Sequence, residues 1–368
     1  MHLTRRRFAL LLPTVAALPS IQSLMAQESP RWSGVFLNQA RLHTLRKRLH
    51  TEPQATAFAA LKADADANLD RQPSVPKVWY VPGYYHDAAG HEKAKGGLEG
   101  DANAAYGLAL AYRMTGDSRY AAAAVRLIDA WATGVESMSD KDDSTLTFSY
   151  HFPAMILAAS LLEPYHPWPS ANRATLRTFI RQKALPMNTM ARKNNWGNWG
   201  LVLVFSSAAY LQDAALFQSA VDRWKSFIET QIAADGHLPE EVGRNGGVGE
   251  RGIWYSHFCL MPQTIAAEIA RVNGVDLYEY RSPSGHTLRS AYERLVPWTH
   301  DPGTFPYFHP RGANDKQLGT DYISYWEILN AHWPNPIATA MIRARRPLTA
   351  EHSAPYLTFT HGDLLHDA

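Results

Sequence analysis

The chain has 368 residues, of which 46% are hydrophobic, 19% charged and 11% aromatic, a composition that excludes a disordered protein. Lysine and arginine number 36 against 34 aspartate and glutamate residues, so the formal net charge of +2 is too balanced for binding nucleic acid through overall charge. The single cysteine, Cys259, excludes an intrachain disulfide and a zinc site built from cysteines.

The N-terminus has the pattern of an export signal. Arg5, Arg6 and Arg7 precede a short apolar run, and small residues follow up to Ala26. This run is too short to cross a bilayer, and we expect no membrane span elsewhere. The arginine pair before x-Phe is typical of a twin-arginine signal. We therefore expect residues 1–26 to be removed as a signal peptide and the mature chain to be soluble, in the periplasm or secreted.

The remaining sequence is rich in helix signals and has no alternation of strands and helices. An apolar helix, a turn with an aspartate and an amphipathic helix with a late tryptophan recur around Asp117, around Asp213 and more loosely around Asp276. Such pairs are typical of an α/α toroid or solenoid, with an irregular helical domain as the alternative. We predict one all-α domain over residues 27–368. The predicted helices are 101–114, 121–131, 152–162, 173–185, 201–211, 214–232, 254–272, 287–296 and 322–331.

One stretch, residues 78–100, interrupts the helical pattern with aromatic residues and glycines. Long loops inside compact domains often act as lids or binding loops. We predict a lid loop here whose side chains Tyr84, Tyr85, Lys93 and Lys95 contact a ligand. A surface loop without a binding role is the alternative.

The hexapeptide 194–199, Asn-Asn-Trp-Gly-Asn-Trp, lies just ahead of an apolar helical segment. Its amides could simply cap that helix. The functional interpretation is that Asn195 or Asn198 offers an uncharged amide to a substrate carboxylate. Trp196 or Trp199 would then provide a flat face for a sugar ring.

A second candidate segment covers residues 236–257. Arg251 and Tyr255 are four positions apart and share one face if this part is helical. A cation beside a phenol lowers the pKa of the phenol, which favours the phenolate that a tyrosine base needs. A core tyrosine with a hydrogen-bonded hydroxyl is the alternative. His257 falls on about the opposite side of such a helix.

These features together resemble the bacterial alginate lyase family. Its members have an Asn-Asn-His motif, a downstream Leu-Pro-x-Glu-x-x-Arg segment and a catalytic tyrosine that opens the next helix. Asn194 and Asn195, the segment 238–244 and Tyr255 follow the same order, and the resemblance spans roughly residues 77–272. It implies an incomplete (α/α) toroid, in agreement with the helix pairs, and a lid over the cleft.

The resemblance also implies roles for single residues. Asn195 takes the place of the asparagine that neutralises the uronate carboxylate, Arg244 that of the arginine that assists it, and Tyr255 that of the catalytic tyrosine. Trp196 stands where the family has its histidine. A related polyuronate lyase, such as one that cleaves glucuronan, therefore fits the sequence as well as a strict alginate lyase.

The implied reaction is β-elimination, which removes the C5 proton of a uronate, expels the O4 sugar and leaves a 4,5-unsaturated end. Asn195, with Arg244 or Arg251, would stabilise the developing negative charge. Tyr255 could act as base and then as acid if the proton and the leaving group lie on one side. The scheme requires no metal and no cofactor, and the histidines have no metal-ligand spacing.

If the two groups lie on opposite sides, a second proton-transfer residue is needed. His151, at the start of an apolar segment, is the first candidate and His257 the second; His257 is otherwise expected to contact the substrate. His151 could instead be a structural residue of a buried helix.

The sequence also fits two other classes of protein. A glycoside hydrolase needs two carboxylic acids, and Asp101, Glu240 and Glu241 could supply them; in a lyase, Glu241 would instead orient an arginine. A non-catalytic polyuronate-binding protein is the third class. In each case the expected partner is an anionic polysaccharide rather than nucleic acid, and the chain is expected to be a monomer.

Overall fold

The computed structural model describes residues 30–244, 251–307, 320–350 and 352–364, without the side chains of 320 and 321. The expected signal peptide, residues 1–26, lies outside the described residues. Helices dominate the described ranges, as predicted. They are α1 (Gln39–Lys47), α2 (Gln54–Ala67), α3 (Ala88–Thr115), α4 (Ser118–Gly134), α5 (Ser144–Leu162), α6 (Ser170–Phe179), α7 (Asn195–Leu211), α8 (Ala214–Gln231), α9 (Pro239–Val242), α10 (Arg251–Val272), α11 (Leu288–His300), α12 (Trp326–His332), α13 (Pro336–Arg345) and α14 (Leu357–His361).

The strands of the described chain form one small parallel pair. β1 (Val78–Trp79) pairs with β2 (Ser137–Met138), with Val78 opposite Ser137. The pair joins the segment before α3 to the segment before α5, so it ties together the approaches to two core helices.

The turns of the predicted repeat are built by capping. Gly116 ends α3 in the left-handed region, with a φ of 77°, where glycine meets no steric penalty. The side chain of Asp117 then accepts a backbone N–H bond at the start of α4, and Asp213 does the same for α8. The late tryptophans of those two helices, Trp131 and Trp224, are fully buried. The repeat around Asp276 is looser, as predicted, because Thr287 caps the helix that follows.

The core lies between an inner and an outer layer of helices. α5, α7, α10 and the second half of α3 are buried along almost their whole length. α3 packs on α5, α5 on α7 and α7 on α10, while the amphipathic α4, α8 and α11 pack outside α3, α7 and α10. A row of inner helices backed by outer helices is the arrangement of an incomplete (α/α) toroid, and the predicted fold class is confirmed.

The predicted lid loop over residues 78–100 is wrong in its second half. α3 already begins at Ala88, with the side chain of Asp87 capping it. Alanine, lysine and glutamate favour helix strongly enough to offset the glycines in this stretch. Gly97 also has a packing role, because a Cβ there would lie 2.7 Å from the backbone oxygen of Ser74.

Several other helices also begin earlier than predicted, and two of these starts bear on the candidate site. α5 starts at Ser144 and continues through Pro153, so His151 lies inside a buried helix and not at its start. α7 starts at Asn195, because the side chain of Asn194 caps it by accepting the backbone N–H bond of Trp196. The amides of the hexapeptide therefore do cap a helix, and they also place Asn195 in its first turn.

α5 is, within the described ranges, the one helix long and apolar enough to cross a membrane by length and composition. The prediction that no further stretch is long and apolar enough for a span is therefore wrong by this measure. Of its apolar window, 89% is buried inside the fold, so α5 occupies the position of a core helix.

Candidate active site

Two tyrosine hydroxyls meet at the centre of the candidate site. Tyr255 lies one turn after Arg251 on α10, as predicted, and its hydroxyl is hydrogen-bonded to that of Tyr85. Tyr85 belongs to the turn formed by residues 82–87, here called the tyrosine turn, and 69% of its surface is exposed. Tyr255 itself is half-buried. A phenol at the edge of the core thus contacts a second phenol that faces solvent.

The tyrosine turn is anchored to the ends of α3 and α5. His91 Nδ1 lies 3.0 Å from the carbonyl oxygen of Pro82 and 3.2 Å from Oδ2 of Asp143. The same Oδ2 accepts the backbone N–H bond of Tyr84 at 2.8 Å. The backbone of the turn is therefore held at both ends, and its tyrosine side chains project from a fixed base.

Arg244 supplies positive charge to the site. The centre of its guanidinium lies 5.0 Å from the ring centre of Tyr255, which is the geometry of a cation–π contact, and its Nε lies 3.4 Å from Oε2 of Glu241. The contact brings together a side chain from the segment after α9 and a side chain from α10. This is the juxtaposition that the motif order predicted for Arg244 and Tyr255.

Asn195 joins the same group through Glu241. Its Nδ2 lies 3.0 Å from Oε1 and 2.9 Å from Oε2 of Glu241, and its backbone nitrogen lies 3.1 Å from Oε1. Burial raises the pKa of Glu241, while Arg244 and the bonds from Asn195 oppose that shift. Glu241 therefore contacts both residues that were predicted to neutralise a uronate.

The predicted lowering of the Tyr255 pKa is wrong for the free protein. Burial and the hydrogen bond from Tyr85 raise the pKa of Tyr255, and together they outweigh Arg244 and Arg251, which lower it. Tyr255 is accordingly a phenol at neutral pH. It must lose its proton, with the help of the two arginines, before it can act as a base.

An aromatic wall extends from Tyr255 along α10. The rings of Trp254 and Tyr255 meet edge to face with centres 4.7 Å apart, and Trp254 stacks on Phe258 at 5.0 Å. Phe258 contacts His352, which stacks on Tyr150 at 4.4 Å. Sequence reasoning missed His352, because it comes from the segment after α13 and no motif marks it.

His151 lies behind this wall. It is fully buried, its ring centre is 5.1 Å from that of His352, and its Nε2 is 3.8 Å from Oε2 of Glu99. A fully buried ring has no surface for a polysaccharide. The structure therefore places the predicted second base in the core, within reach of the cleft only through its neighbours.

The two downstream residues of the hexapeptide are core residues, contrary to their predicted contact with substrate. Asn198 is fully buried, with its Nδ2 2.9 Å from Oε1 of Gln231 and 2.7 Å from Sγ of Cys259. Trp199 is fully buried 5.2 Å from the ring of Phe258. α7 turns these side chains inward. Trp196 is half-buried, with the guanidinium of Arg192 at 5.4 Å from its ring.

His257 is also a core residue, so its predicted roles as second base and as substrate contact are not supported. Its two ring nitrogens are hydrogen-bonded to the hydroxyls of Tyr325 at 3.0 Å and Thr299 at 2.9 Å. Burial lowers its pKa to about 3, so the ring is neutral at neutral pH. This agrees with its position on the far side of α10 from Tyr255.

The two lysines predicted to bind substrate lie on α3. Lys95 is buried, and its Nζ lies 3.1 Å from a carboxylate oxygen of Glu92 and 3.0 Å from one of Glu99. This ion pairing replaces the predicted contact with a polyanion. Lys93 is exposed, and its role stays a prediction, as do those of Tyr84 and Tyr85.

Two of the three carboxylic acids that a glycoside hydrolase could use are bound to other residues. Asp101 is fully buried and accepts hydrogen bonds from Arg71, from the backbone of Ser74 and from the indole of Trp131. Glu241 is bound to Asn195, and Glu240 is exposed on α9. The pair of acids that a hydrolase needs is not assembled from these residues.

Comparison with known proteins identifies the family. The family model described as alginate lyase matches residues 45–305, and the chain belongs to this alginate lyase family. A polysaccharide lyase of Stenotrophomonas maltophilia is 25% identical over 339 residues, which cover 87% of this chain and 98% of that protein. An alginate lyase of Pseudomonas fluorescens is 28% identical over 179 residues, 48% of this chain and 43% of that enzyme. The protein is accordingly an enzyme, a polysaccharide lyase.

Solved structures agree on the fold. A tyrosine-to-phenylalanine variant of alginate lyase A1-III, complexed with a tetrasaccharide, superposes with a TM-score of 0.74 over 91% of this chain and 97% of its own, at 18% identity. An alginate lyase from Bacteroides ovatus gives a TM-score of 0.69 over 89% of this chain and 98% of its own, at 19% identity. The incomplete toroid is therefore the fold of these lyases.

Proposed function

We propose that this lyase cleaves a polyuronate of the alginate or glucuronan type by β-elimination, leaving a 4,5-unsaturated uronate at the new end. The observation that carries the proposal is that the guanidinium of Arg244 lies over the ring of Tyr255 and beside Glu241, which in turn binds the amide of Asn195. Support also comes from relatives that are named alginate lyase and from the order of the motifs. A phenol, a guanidinium and an amide are the groups that proton abstraction beside a carboxylate requires.

The first interaction is with the substrate carboxylate. Arg244 and the amide of Asn195 bind it, and its charge no longer opposes removal of the C5 proton. Tyr255, as phenolate, takes that proton. The electron pair forms the C4–C5 double bond while the C4–O4 bond breaks, and the departing O4 takes the proton from Tyr255. The residue ends the cycle as the phenolate with which it began.

Tyr85 connects Tyr255 with solvent. Because its hydroxyl contacts that of Tyr255 and most of its side chain is exposed, it offers a path for the first deprotonation of Tyr255. Arg244 and Arg251 favour the resulting phenolate.

A single residue acting as base and acid predicts a stereochemical preference. One phenol group can take the C5 proton and then protonate O4 when both lie on the same side of the sugar ring. Mannuronate and glucuronate have this arrangement, whereas guluronate, the C5 epimer of mannuronate, has the opposite one. The burial of His151 and His257 supports the single-tyrosine scheme.

The test is an assay of the purified chain with EDTA on polymannuronate, polyguluronate, glucuronan and a pectate control. We expect ultraviolet absorbance of the new double bond on polymannuronate or glucuronan, little on polyguluronate and none on pectate. New reducing ends without absorbance would favour the hydrolase. Loss of activity in EDTA that returns with metal would refute the metal-free scheme.

Export to the periplasm or medium is proposed on the arginine-containing pattern of residues 1–26 alone. Cell fractionation of the full chain beside a variant with Arg5 and Arg6 replaced by lysine tests it. Retention of the variant in the cytoplasm is the expected result.

A monomeric state is likewise proposed, and light scattering of the mature chain tests it.

A further inference from the structure

Glu241 is the most connected side chain of the site, although no step of the elimination uses it. Its carboxylate is almost fully buried, with 1% of its surface exposed. It receives the backbone N–H and the side-chain amide of Asn195, and it lies beside Arg244. The carboxylate is occupied by these contacts, so any effect on the reaction must pass through its neighbours, Arg244 and Asn195, of which Asn195 is itself only 2% exposed.

The contact with Asn195 determines which way its amide points. Both oxygens of Glu241 lie within hydrogen-bond distance of the one nitrogen, Nδ2. This nitrogen must face the carboxylate, because the alternative orientation would bring the amide oxygen against it. The two oxygens of one carboxylate lie too close together to accept both N–H bonds in line. Nδ2 is therefore held between the two oxygens, and the amide of Asn195 cannot rotate without losing both contacts.

The backbone bond adds a second constraint on the same residue. Asn195 is the first residue of α7, and its backbone N–H is one of those that no helical carbonyl can accept. Glu241 accepts it at 3.1 Å. The carboxylate thus fixes the start of the helix and the amide that projects from it.

We propose that Glu241 is a positioning residue of the lyase, which holds the amide of Asn195 in the orientation that donates to the uronate carboxylate. This inference rests on the proposed function. Positioning of this kind lowers the barrier because the donor is oriented before the substrate binds, and misplacement by about 1 Å can cost about a hundredfold in rate. This role differs from the orientation of an arginine, since Glu241 acts through Asn195.

The experiment is a double-mutant cycle with Glu241→Gln and Asn195→Ala, and with Glu240→Gln as the matched control from the same short helix. An amide at position 241 has the shape of glutamate but no longer dictates which end of the Asn195 amide faces it. We expect Glu241→Gln to lower kcat by about 10- to 100-fold while KM changes by less than about threefold. Glu240→Gln should leave both unchanged.

The cycle distinguishes positioning from a general structural role. In the Asn195→Ala background, Glu241→Gln should lower kcat by less than about threefold, because the residue it acts through is gone. A full, multiplicative loss in that background would overturn the inference, and so would wild-type kcat in the single variant. Thermal unfolding of each variant checks the fold.

If Glu241→Gln does not fold, Glu241→Asp takes its place in the same cycle. The shorter carboxylate keeps the charge, and a smaller loss of kcat is expected, again abolished by Asn195→Ala. Wild-type protein that gives no unsaturated product on any polymer would refute the proposed function. An active wild type with unaffected Glu241 variants would refute the positioning role alone.

Discussion

The hydroxyl of Tyr85, on the turn before α3, is hydrogen-bonded to the hydroxyl of Tyr255 on α10. The two residues are 170 positions apart in the chain, and their contact joins the tyrosine turn to α10. Because the hydrogen bond stabilises the phenol of Tyr255, it raises the pKa of the proposed base. The same contact therefore positions Tyr255 and restrains its ionisation.

Replacing Tyr85 by phenylalanine should shift the pH profile of the lyase. Removal of the hydrogen bond lowers the pKa of Tyr255, so the limb along which kcat/KM rises with pH should move to lower pH. Tyr80→Phe, which removes a hydroxyl bonded to Asp142 outside this pair, should leave the limb in place. A limb that moves to higher pH in Tyr85→Phe would show that the contact favours the phenolate instead.

Arg244 and Arg251 should differ in their effects on catalysis. Arg244 lies over the Tyr255 ring and beside Glu241, whereas Arg251 is exposed at the start of α10. Arg244→Ala should lower kcat by about 10²- to 10³-fold, the range for loss of one donor to a developing negative charge. Arg251→Ala should lower it by less than about tenfold. Steady-state kinetics on polymannuronate or glucuronan measure both, and the reverse order would contradict this assignment.

His91 should make the stability of the enzyme depend on pH. Burial lowers the pKa of His91, but its bonds to Asp143 and to the carbonyl of Pro82 raise it by more, so the net pKa lies above the usual 6.5. The stabilisation is fully present below 6.5 and is lost as pH rises through the raised pKa. The thermal midpoint should therefore fall across this window, and less so in His91→Gln.

The ionisation of Asp143 should make the stability of the enzyme fall as the pH becomes acidic, the opposite of the trend from His91. Burial raises its pKa, but His91 and the backbone N–H of Tyr84 lower it below the usual 3.8. Its stabilisation is present above that value and is lost as pH falls through the lowered pKa. Asp143→Asn should remove this acid-dependent part of the unfolding curve. An unchanged midpoint in both variants across both windows would mean that the tyrosine turn is held by other contacts.

The sequence was sufficient for the fold and for the proximity of Tyr255 and Arg244. Aspartate turns and late tryptophans marked the helix pairs, and the motif order brought Tyr255 and Arg244 together. Asn198 could not be separated from Asn195 by sequence, because only packing decides which of the two amides meets Glu241 and which meets Gln231. Glu241 was recognised as a possible orienting group, but its bond to Asn195 joins two elements that no local pattern connects.

The helical start of α3 and the contribution of His352 to the aromatic wall could not be predicted from the sequence either. Residues 88–100 have a composition that suits both a loop and a helix, and the cap from Asp87 settles the choice. His352 enters the wall from a distant segment, through a stacking contact with Tyr150. Long-range contacts of this kind depend on how the helices pack, which periodicity along one segment does not contain.

The most direct test of the account is the ultraviolet absorbance produced by Tyr255→Phe beside the wild type on polymannuronate or glucuronan. The variant should fold with the wild-type thermal midpoint, because it loses a single hydroxyl whose partner faces solvent. We expect wild-type protein to produce the unsaturated product and the variant to lose at least about a hundredfold in kcat. A folded variant that retains activity within about threefold of wild type would contradict the assignment of Tyr255 as the base.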